Sequence, residues 1–480
     1  MPSIKKNFLY SSILTAANYL FPMLTYPYVS RVLGVSNIGV CAFVDGIVNY
    51  YILFSMMGIG VLGIREAAKN KGNKESLSRA FSGIFALNAI FTGIAIAALI
   101  TSIYIVPQFQ MYKELMFVGV IKLLFNFLLI EWLYKGLEDF KYITVRTLLV
   151  KILYVISVFI FVREGSDYMA YYILSVLMVV FNALFNIVYS RHFVGFKMRG
   201  LNVRSYAKPA LILGFYTMLT SMYTTFNVAY LGIVAPSSEV GYYTTATKLY
   251  SILMAVFTAF TGVMLPRMSS YVSSGQMDKF KSLLGKSQNA LISFSYPVII
   301  YSTVLAPDII RVLSGTGYEG AVTPMRIVMP LMFIIGYEQI LVIQTLMPLK
   351  QDRAILVNSI LGAVTGLVLN FALVGSLFSI GSAMVWICSE AVVLIAAQLR
   401  IKKCIGLGFP IKMVTRHLAG NIPLLALMVC LFVFIDISAF LRLVAGALLL
   451  VAYTVFYQYK IKNELFMNMT GKLVRKIYKR

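Results

Sequence analysis

Residues 8–64 read FLYSSILTAANYLFPMLTYPYVSRVLGVSNIGVCAFVDGIVNYYILFSMMGIGVLGI, and Arg31 and Asp45 are the only charged side chains among them. A helix of about 20 apolar residues crosses the hydrocarbon of a bilayer. The stretch is therefore long enough for two spans, at roughly 8–33 and 37–64, with a hairpin turn near Val35 to Asn37. Outside this stretch the chain stays apolar. Of its 480 residues 60% are hydrophobic and only 12% charged, where soluble proteins carry about 25% charged residues. A mean hydropathy of +0.83 excludes a soluble globular enzyme, a disordered protein and a nucleic-acid binder, despite the net charge of +24. The basic residues have to be read relative to a membrane.

Further spans follow at roughly 79–104, 113–134, 143–162, 168–190, 209–234, 240–265, 288–307, 326–348, 354–376, 379–399, 418–436 and 440–458. The sequence thus predicts an all-α integral membrane protein of 14 transmembrane helices. Strand-length alternation does not recur, so a β-barrel is excluded. Thirty-three of the 42 Lys and Arg fall in alternate connections and at the two ends, against six on the opposite side. The positive-inside rule then puts both termini in the cytoplasm. The apolar stretch after Lys5 and Lys6 is too long for a cleaved signal peptide. The basic tail KNELFMNMTGKLVRKIYKR has the composition of an amphipathic helix on anionic lipid, or of a solvated terminus.

The four cysteines (41, 388, 404 and 430) and two histidines (192 and 417) are far apart, with no metal-ligand spacing. No metal, no cofactor and no catalytic constellation is expected, and hence no enzyme. Both histidines are read as loop residues facing solvent or headgroups.

A constant shift of 202 residues superposes Gly39 on Gly241, Gly60 on Gly262, Val61 on Val263 and Arg65 on Arg267. It also carries Thr15, Asn18 and Thr25 onto Thr217, Thr220 and Asn227. Six helices separate the equivalent spans, so the repeat is parallel: two pseudo-symmetric six-helix lobes, 1–207 and 208–417, followed by two helices and the tail over 418–480. The polar positions share a helix face, which points at a neighbouring helix as hydrogen-bond glue or at a watery cavity.

Charges inside spans cost at least about 2.5–3.5 kcal/mol each on insertion scales. Lys122, Lys151 and Lys248 either snorkel to the interface or face a cavity. Asp45, Glu338 and Glu390 are candidates for ion coupling or charge pairing. The expected depth of Arg31 and Asp45 on adjacent helices suggests an ion pair between them, structural or responsive to cargo. With that pair neutral in sum, the lysines leave a positive interior, which favours an anionic cargo.

The stretch from Tyr26 to Arg79 resembles the start of bacterial polysaccharide biosynthesis proteins, the O-antigen flippases of the multidrug/oligosaccharidyl-lipid/polysaccharide exporter superfamily. Tyr26, Pro27, Ser30, Arg31, Leu33 and Gly34 carry the likeness, followed by Gly39, Gly58, Gly60 and Arg65–Glu66. The resemblance implies two lobes that open alternately to the two membrane faces of a bacterial inner membrane. It implies as cargo an undecaprenyl-pyrophosphate-linked oligosaccharide, and as partners membrane lipids and other polysaccharide-assembly membrane proteins. Arg31, Lys122, Lys151 and Lys248 are then the headgroup-binding cations. A lipid-linked peptidoglycan precursor flippase and a multidrug or cation antiporter of the same fold are the alternatives; a membrane-embedded polymerase or acyltransferase is a remote one.

Overall fold

The computed structural model describes residues 4–197, 203–461, 463, 466 and 467. Most of the basic tail lies outside the described residues. Among the described residues all regular structure is helical, as the absence of water in a bilayer requires of a chain that is not a closed barrel. Ten helices are long and apolar enough to cross a membrane, or eleven if one bent pair is a single span. The protein is a multi-pass membrane protein. By contact the chain divides into two compact units: residues 1–244 with 370–378, and residues 245–369 with 379–480.

The first unit holds α1 (Ile4–Ser55), α2 (Ile59–Lys69), α3 (Lys74–Ile105), α4 (Pro107–Met111), α5 (Lys113–Asn126), α6 (Glu131–Leu137), α7 (Phe140–Phe161), α8 (Tyr168–Ser190), α9 (Val203–Ser221), α10 (Thr225–Val234) and the start of α11 (Ser237–Ser273). Helix α1 is broken at Gly34, whose φ of 73° and ψ of 167° lie in a region that a side chain would make costly. This break falls one residue before the turn expected from the sequence. The Asn73 side chain accepts from the amides of Glu75 and Ser76, both at 3.0 Å, and starts α3 where the basic connection ends. Asp139 starts α7 in the same way through Tyr142.

Helix α7 shows how these helices divide their faces. Ile143, Thr147, Val150 and Val158 are buried, while Leu149, Leu153, Ile156 and Ile160 are exposed. An apolar stripe left bare at helical spacing is the face a membrane protein gives to lipid. Inside, Phe81, Ile84, Trp132, Leu133 and Tyr134 form a packed cluster between α2, α3 and α6. A second cluster joins Tyr26, Val29 and Leu33 of α1 to Val158 and Val162.

The second unit continues α11 and adds α12 (Met277–Val304), α13 (Ala306–Ser314), α14 (Val322–Val328), α15 (Leu331–Leu341), α16 (Asp352–Leu369), most of α17 (Gly375–Ile405), α18 (Ile411–Phe434) and α19 (Ala439–Lys460). Helices α12 and α13 meet at 74°. Arg442 of α19 joins Asp308 of α13 at 3.2 Å, with both side chains largely buried. Its other nitrogen donates to the carbonyls of Ile435 and Ile437. His417 is not in a loop: it lies two turns into α18, 2% exposed, 3.0 Å from Asn289 Oδ1 of α12. The loop reading failed because α18 starts after Pro410, a turn and more before the apolar run becomes continuous. His192 is exposed and contacts the Tyr189 carbonyl.

Candidate functional site

In the first unit two in-span lysines end on polar side chains of α1. Lys122 of α5 is 2.5 Å from Asp45 Oδ1 and donates to Asn49 Oδ1 at 2.9 Å; Asn49 in turn donates to Asp45 Oδ2 at 2.9 Å. The Lys122 side chain is 13% exposed, while Asp45 keeps 37%. Nothing about helix packing alone requires this triangle, since an apolar trio would pack without desolvating two charges. Lys151 of α7 donates to Asn18 Oδ1 at 2.6 Å and lies 5.9 Å from the centre of the Phe21 ring. The first of the polar stripes thus meets a cation at one position.

The other stripe residues behave differently. The hydroxyls of Thr15, Thr25, Thr217 and Thr220 return their hydrogen bonds to carbonyls of their own helices. Thr25 is buried, whereas Thr15 and Thr217 are exposed. Asn227 is fully buried and accepts from Asn370 Nδ2 at 2.7 Å, where a π-helical turn over Asn370–Val374 opens the backbone. Arg31 is exposed on α1, three residues before the Gly34 break. The expected partner of Asp45 was Arg31; the ammonium on Asp45 is that of Lys122. Depth along a helix fixes height in the membrane, but the packing of α5 on α1 decides which cation arrives.

Two charged residues of this unit escaped the sequence reading. Arg146, counted there with the basic connections, has a side chain only 5% exposed. It reaches Glu131 at 3.0 Å, Thr147 Oγ1 at 2.8 Å and the Asn182 carbonyl at 3.3 Å. Glu131 also holds Lys135 at 3.1 Å. The fourth span is broken here: α5 gives way to a 3₁₀ turn, Ile130 takes φ 35°, and α6 starts at Glu131. Asn186 of α8 donates to the Leu129 carbonyl, a backbone group freed by the break, and Tyr134 of α6 donates to the Asn186 carbonyl. A carboxylate at the first turn of α6 is favoured by the helix dipole.

In the second unit Glu338 of α15 and Glu390 of α17 bring their carboxyl groups close together. Trp386 Nε1 donates to Glu390 Oε1 at 3.2 Å, and the Tyr250 ring meets the Trp386 ring edge-on at 5.2 Å. Lys248 is half-buried on α11 of the same unit. No three His, Cys, Asp or Glu side chains converge as metal ligands among the described residues.

Comparison with known proteins places these features. A family model described as polysaccharide biosynthesis protein matches residues 4–272. The chain is 26% identical over 398 residues to a putative O-antigen transporter of Escherichia coli (strain K12), covering 82% of this chain and 95% of that protein. Among solved structures it is similar to the lipid II flippase MurJ in an inward closed conformation. There the TM-score is 0.77 at 14% identity, over 94% of this chain and 99% of the other. An inward-facing multidrug resistance MATE family transporter matches with a TM-score of 0.63 at 14% identity, over 82% and 98%. At such identities the likeness is one of fold.

Proposed function

The chain belongs to the polysaccharide biosynthesis protein family, and from that premise we propose that it is a flippase for an undecaprenyl-pyrophosphate-linked oligosaccharide. The repeat unit is turned from the cytoplasmic to the periplasmic leaflet of the bacterial inner membrane by alternating access. The observation that carries this reading is the pair Lys122 and Lys151, placed in apolar helices and engaged by Asp45, Asn49 and Asn18. Lys151 would exchange the neutral Asn18, and Lys122 its Asp45 carboxylate, for a diphosphate, which forms charge-assisted hydrogen bonds. The reading takes Arg31 and Lys248 as further headgroup-binding cations, and the threonine and asparagine stripes as polar lining for the cargo. It is a transporter and not an enzyme.

The helix lengths support 14 spans. The 52 residues of α1 would extend about 78 Å as one straight helix, more than twice the ~30 Å hydrocarbon thickness. Its break at Gly34 makes two spans, and Phe378, at φ 47°, does the same for the 54-residue stretch Asp352–Ile405. Taking α9 with α10 and α12 with α13 as one broken span each brings the ten candidates to fourteen. The repeat by 202 residues supports lobes at 1–207 and 208–417 with 418–480 appended. Its equivalent glycines touch: a Cβ on Gly39 would lie 2.9 Å from Gly241 N and 1.7 Å from the Ser237 carbonyl oxygen. Equivalent residues in contact are what a pseudo-twofold axis produces.

One observation favours a second reading. The close carboxyl pair Glu338 and Glu390 is the kind of acidic site by which a cation antiporter would hold a cation or coupling ion. Proteoliposomes holding the full chain separate the two. Inward movement of a lipid-linked oligosaccharide, scored by a membrane-impermeant glycosidase, is expected. Movement of a lipid-linked peptidoglycan precursor alone, or of an organic cation alone, overturns the reading.

A further inference from the structure

His417 and Asn421 of α18 adjoin two cavities of the second unit. Each is 2% exposed, yet His417 Nδ1 and Asn421 Oδ1 have no hydrogen-bond partner among the described residues. An unsatisfied buried polar atom costs about 1–3 kcal/mol. Both atoms belong to α18, one turn apart, and Asn421 Nδ2 donates to the His417 carbonyl at 2.7 Å. Each residue lines a different cavity of the second unit, the first between α12 and α18 and the second between the same two helices and α15.

His417 borders a basic cavity of about 480 Å³, lined also by Lys286, Asn289, Lys412 and Arg416 and by no acid. Asn421 borders an apolar groove of about 670 Å³ with Tyr296, Phe333, Ile334, Ile422 and Leu425. Asn289 and Tyr296 are seven residues apart on α12, and so share its face; the groove therefore continues the cavity along the same helix pair. Leu418, Ile422 and Leu425 are exposed, so the groove opens to the hydrocarbon. Positive charge at one end and an apolar trough leading from it form the template of one lipid molecule. The basic cavity between Arg353, Arg400 and Lys403 holds cations too, but its lining has no comparable apolar extension.

We propose that the α12–α18 cleft is a binding site for an anionic phospholipid, for which phosphatidylglycerol serves as the probe. Lys286, Lys412 and Arg416 take the phosphate, and an acyl chain fills the groove. His417, held through Nε2 by Asn289 and closed to solvent at Nδ1, walls the cavity rather than contacting the headgroup. The occupant is a resident lipid rather than cargo because the cations sit at the end of the helix pair joined to the basic connections 267–286 and 400–416, at headgroup height. The site is also separate from Lys122 and Lys151, which belong to the first unit.

The test titrates the full chain, in neutral detergent, with lipids of identical acyl chains and follows bound mass by native mass spectrometry. Phosphatidylglycerol should bind at one saturable site and phosphatidylcholine should not compete. Inorganic pyrophosphate, which lacks a tail, should leave it bound. Lys412→Gln with Arg416→Gln should weaken it about 30-fold, at about 1 kcal/mol per cation near the surface and tenfold per 1.4 kcal/mol. Ala419→Phe should occlude the groove and weaken binding with all charges kept. Lys402→Gln with Lys403→Gln, the same charge loss elsewhere, should change nothing. Equal binding of phosphatidylcholine, or wild-type binding by both the cation and the groove variants, overturns the proposal. So does displacement by a polyprenyl pyrophosphate at equal concentration, which would make the cleft a cargo site. Should the double variant fail to fold, Ala419→Phe and the competition series decide.

Discussion

Lys122 separates two physical roles that a single substitution confounds. If its ion pair with Asp45 only holds α5 to α1, removing both charges together should be nearly neutral, because a paired charge replaced by an apolar group loses its desolvation cost as well. If the ammonium takes the cargo diphosphate, the double change cannot restore transport. We expect Lys122→Met to abolish surface polysaccharide in a flippase-deficient host at normal expression. Lys122→Met with Asp45→Asn should recover melting temperature but not export. Asp45→Asn alone should cost about 1–3 kcal/mol of stability, between the figures for exposed and buried pairs, since Asp45 is partly exposed. Recovery of export by the double variant would make the pair structural. That a charge stood at position 122 was legible in the sequence, because a lysine nine residues into an apolar run is conspicuous. Its partner was not: Arg31 and Asp45 matched in depth, but contact between α1 and α5 is a property of packing. His417 was misread for a related reason, since helix starts before an apolar run carry little hydrophobic signal.

At the level of elements, the apolar runs marked out most helices, while the breaks in them were mostly hidden. The turn near Val35 was expected and Gly34 supplies it. The break between α5 and α6 at Ile130 was not expected, because Leu, Ile and Trp continue the apolar pattern straight through it. Glu131 consequently fell at the end of a span and Arg146 in a basic connection, where their charges needed no explanation. The α13–α19 joint offers a clean test of how such charges act. Asp308 is 8% and Arg442 14% exposed at the side chain, so Arg442→Ala leaves a buried carboxylate alone. That should cost about 3–5 kcal/mol, read as a lower melting temperature in detergent. Arg442→Met with Asp308→Asn should return most of it. If the two single changes and the double melt alike, the pair contributes nothing to docking α19. Substituting Gly39 should be severe for a steric reason, because the Ser237 carbonyl already occupies the space a Cβ needs. Gly39→Val should yield little folded protein, measured by size-exclusion profile after solubilisation.

For the whole molecule, charge asymmetry sets which way the proposed machine faces. Thirty-three basic residues against six in alternate connections is a bias that one misassigned residue hardly alters; moving Arg146 from a loop to the interior of the first unit leaves it nearly intact. The bias also bears on chemistry, because a cargo assembled in the cytoplasm must enter from that side. The basic α12–α18 cleft likewise has to face the leaflet whose headgroups it would hold. A cytoplasmic reporter fused after Lys460 should therefore be active, and one inserted between Gly165 and Ser166, in the short connection of α7 to α8, should report the periplasm. The second position tests more than the first. An even number of spans places both termini on one side whatever the number, whereas a periplasmic insertion at 165 requires an odd number of crossings before it. The break at Gly34 makes that number five: two from α1, then α3, the broken α5–α6 span and α7. Had α1 been a single crossing, residue 165 would lie in the cytoplasm with Arg163 and the counted basic connections. A cytoplasmic signal at 165 together with a cytoplasmic signal from a reporter fused before Phe8 would leave an even number of crossings between them, and would thus overturn the two-span reading of residues 8–64; cytoplasmic signals at both 165 and after Lys460 would instead overturn the nine crossings counted between those two positions.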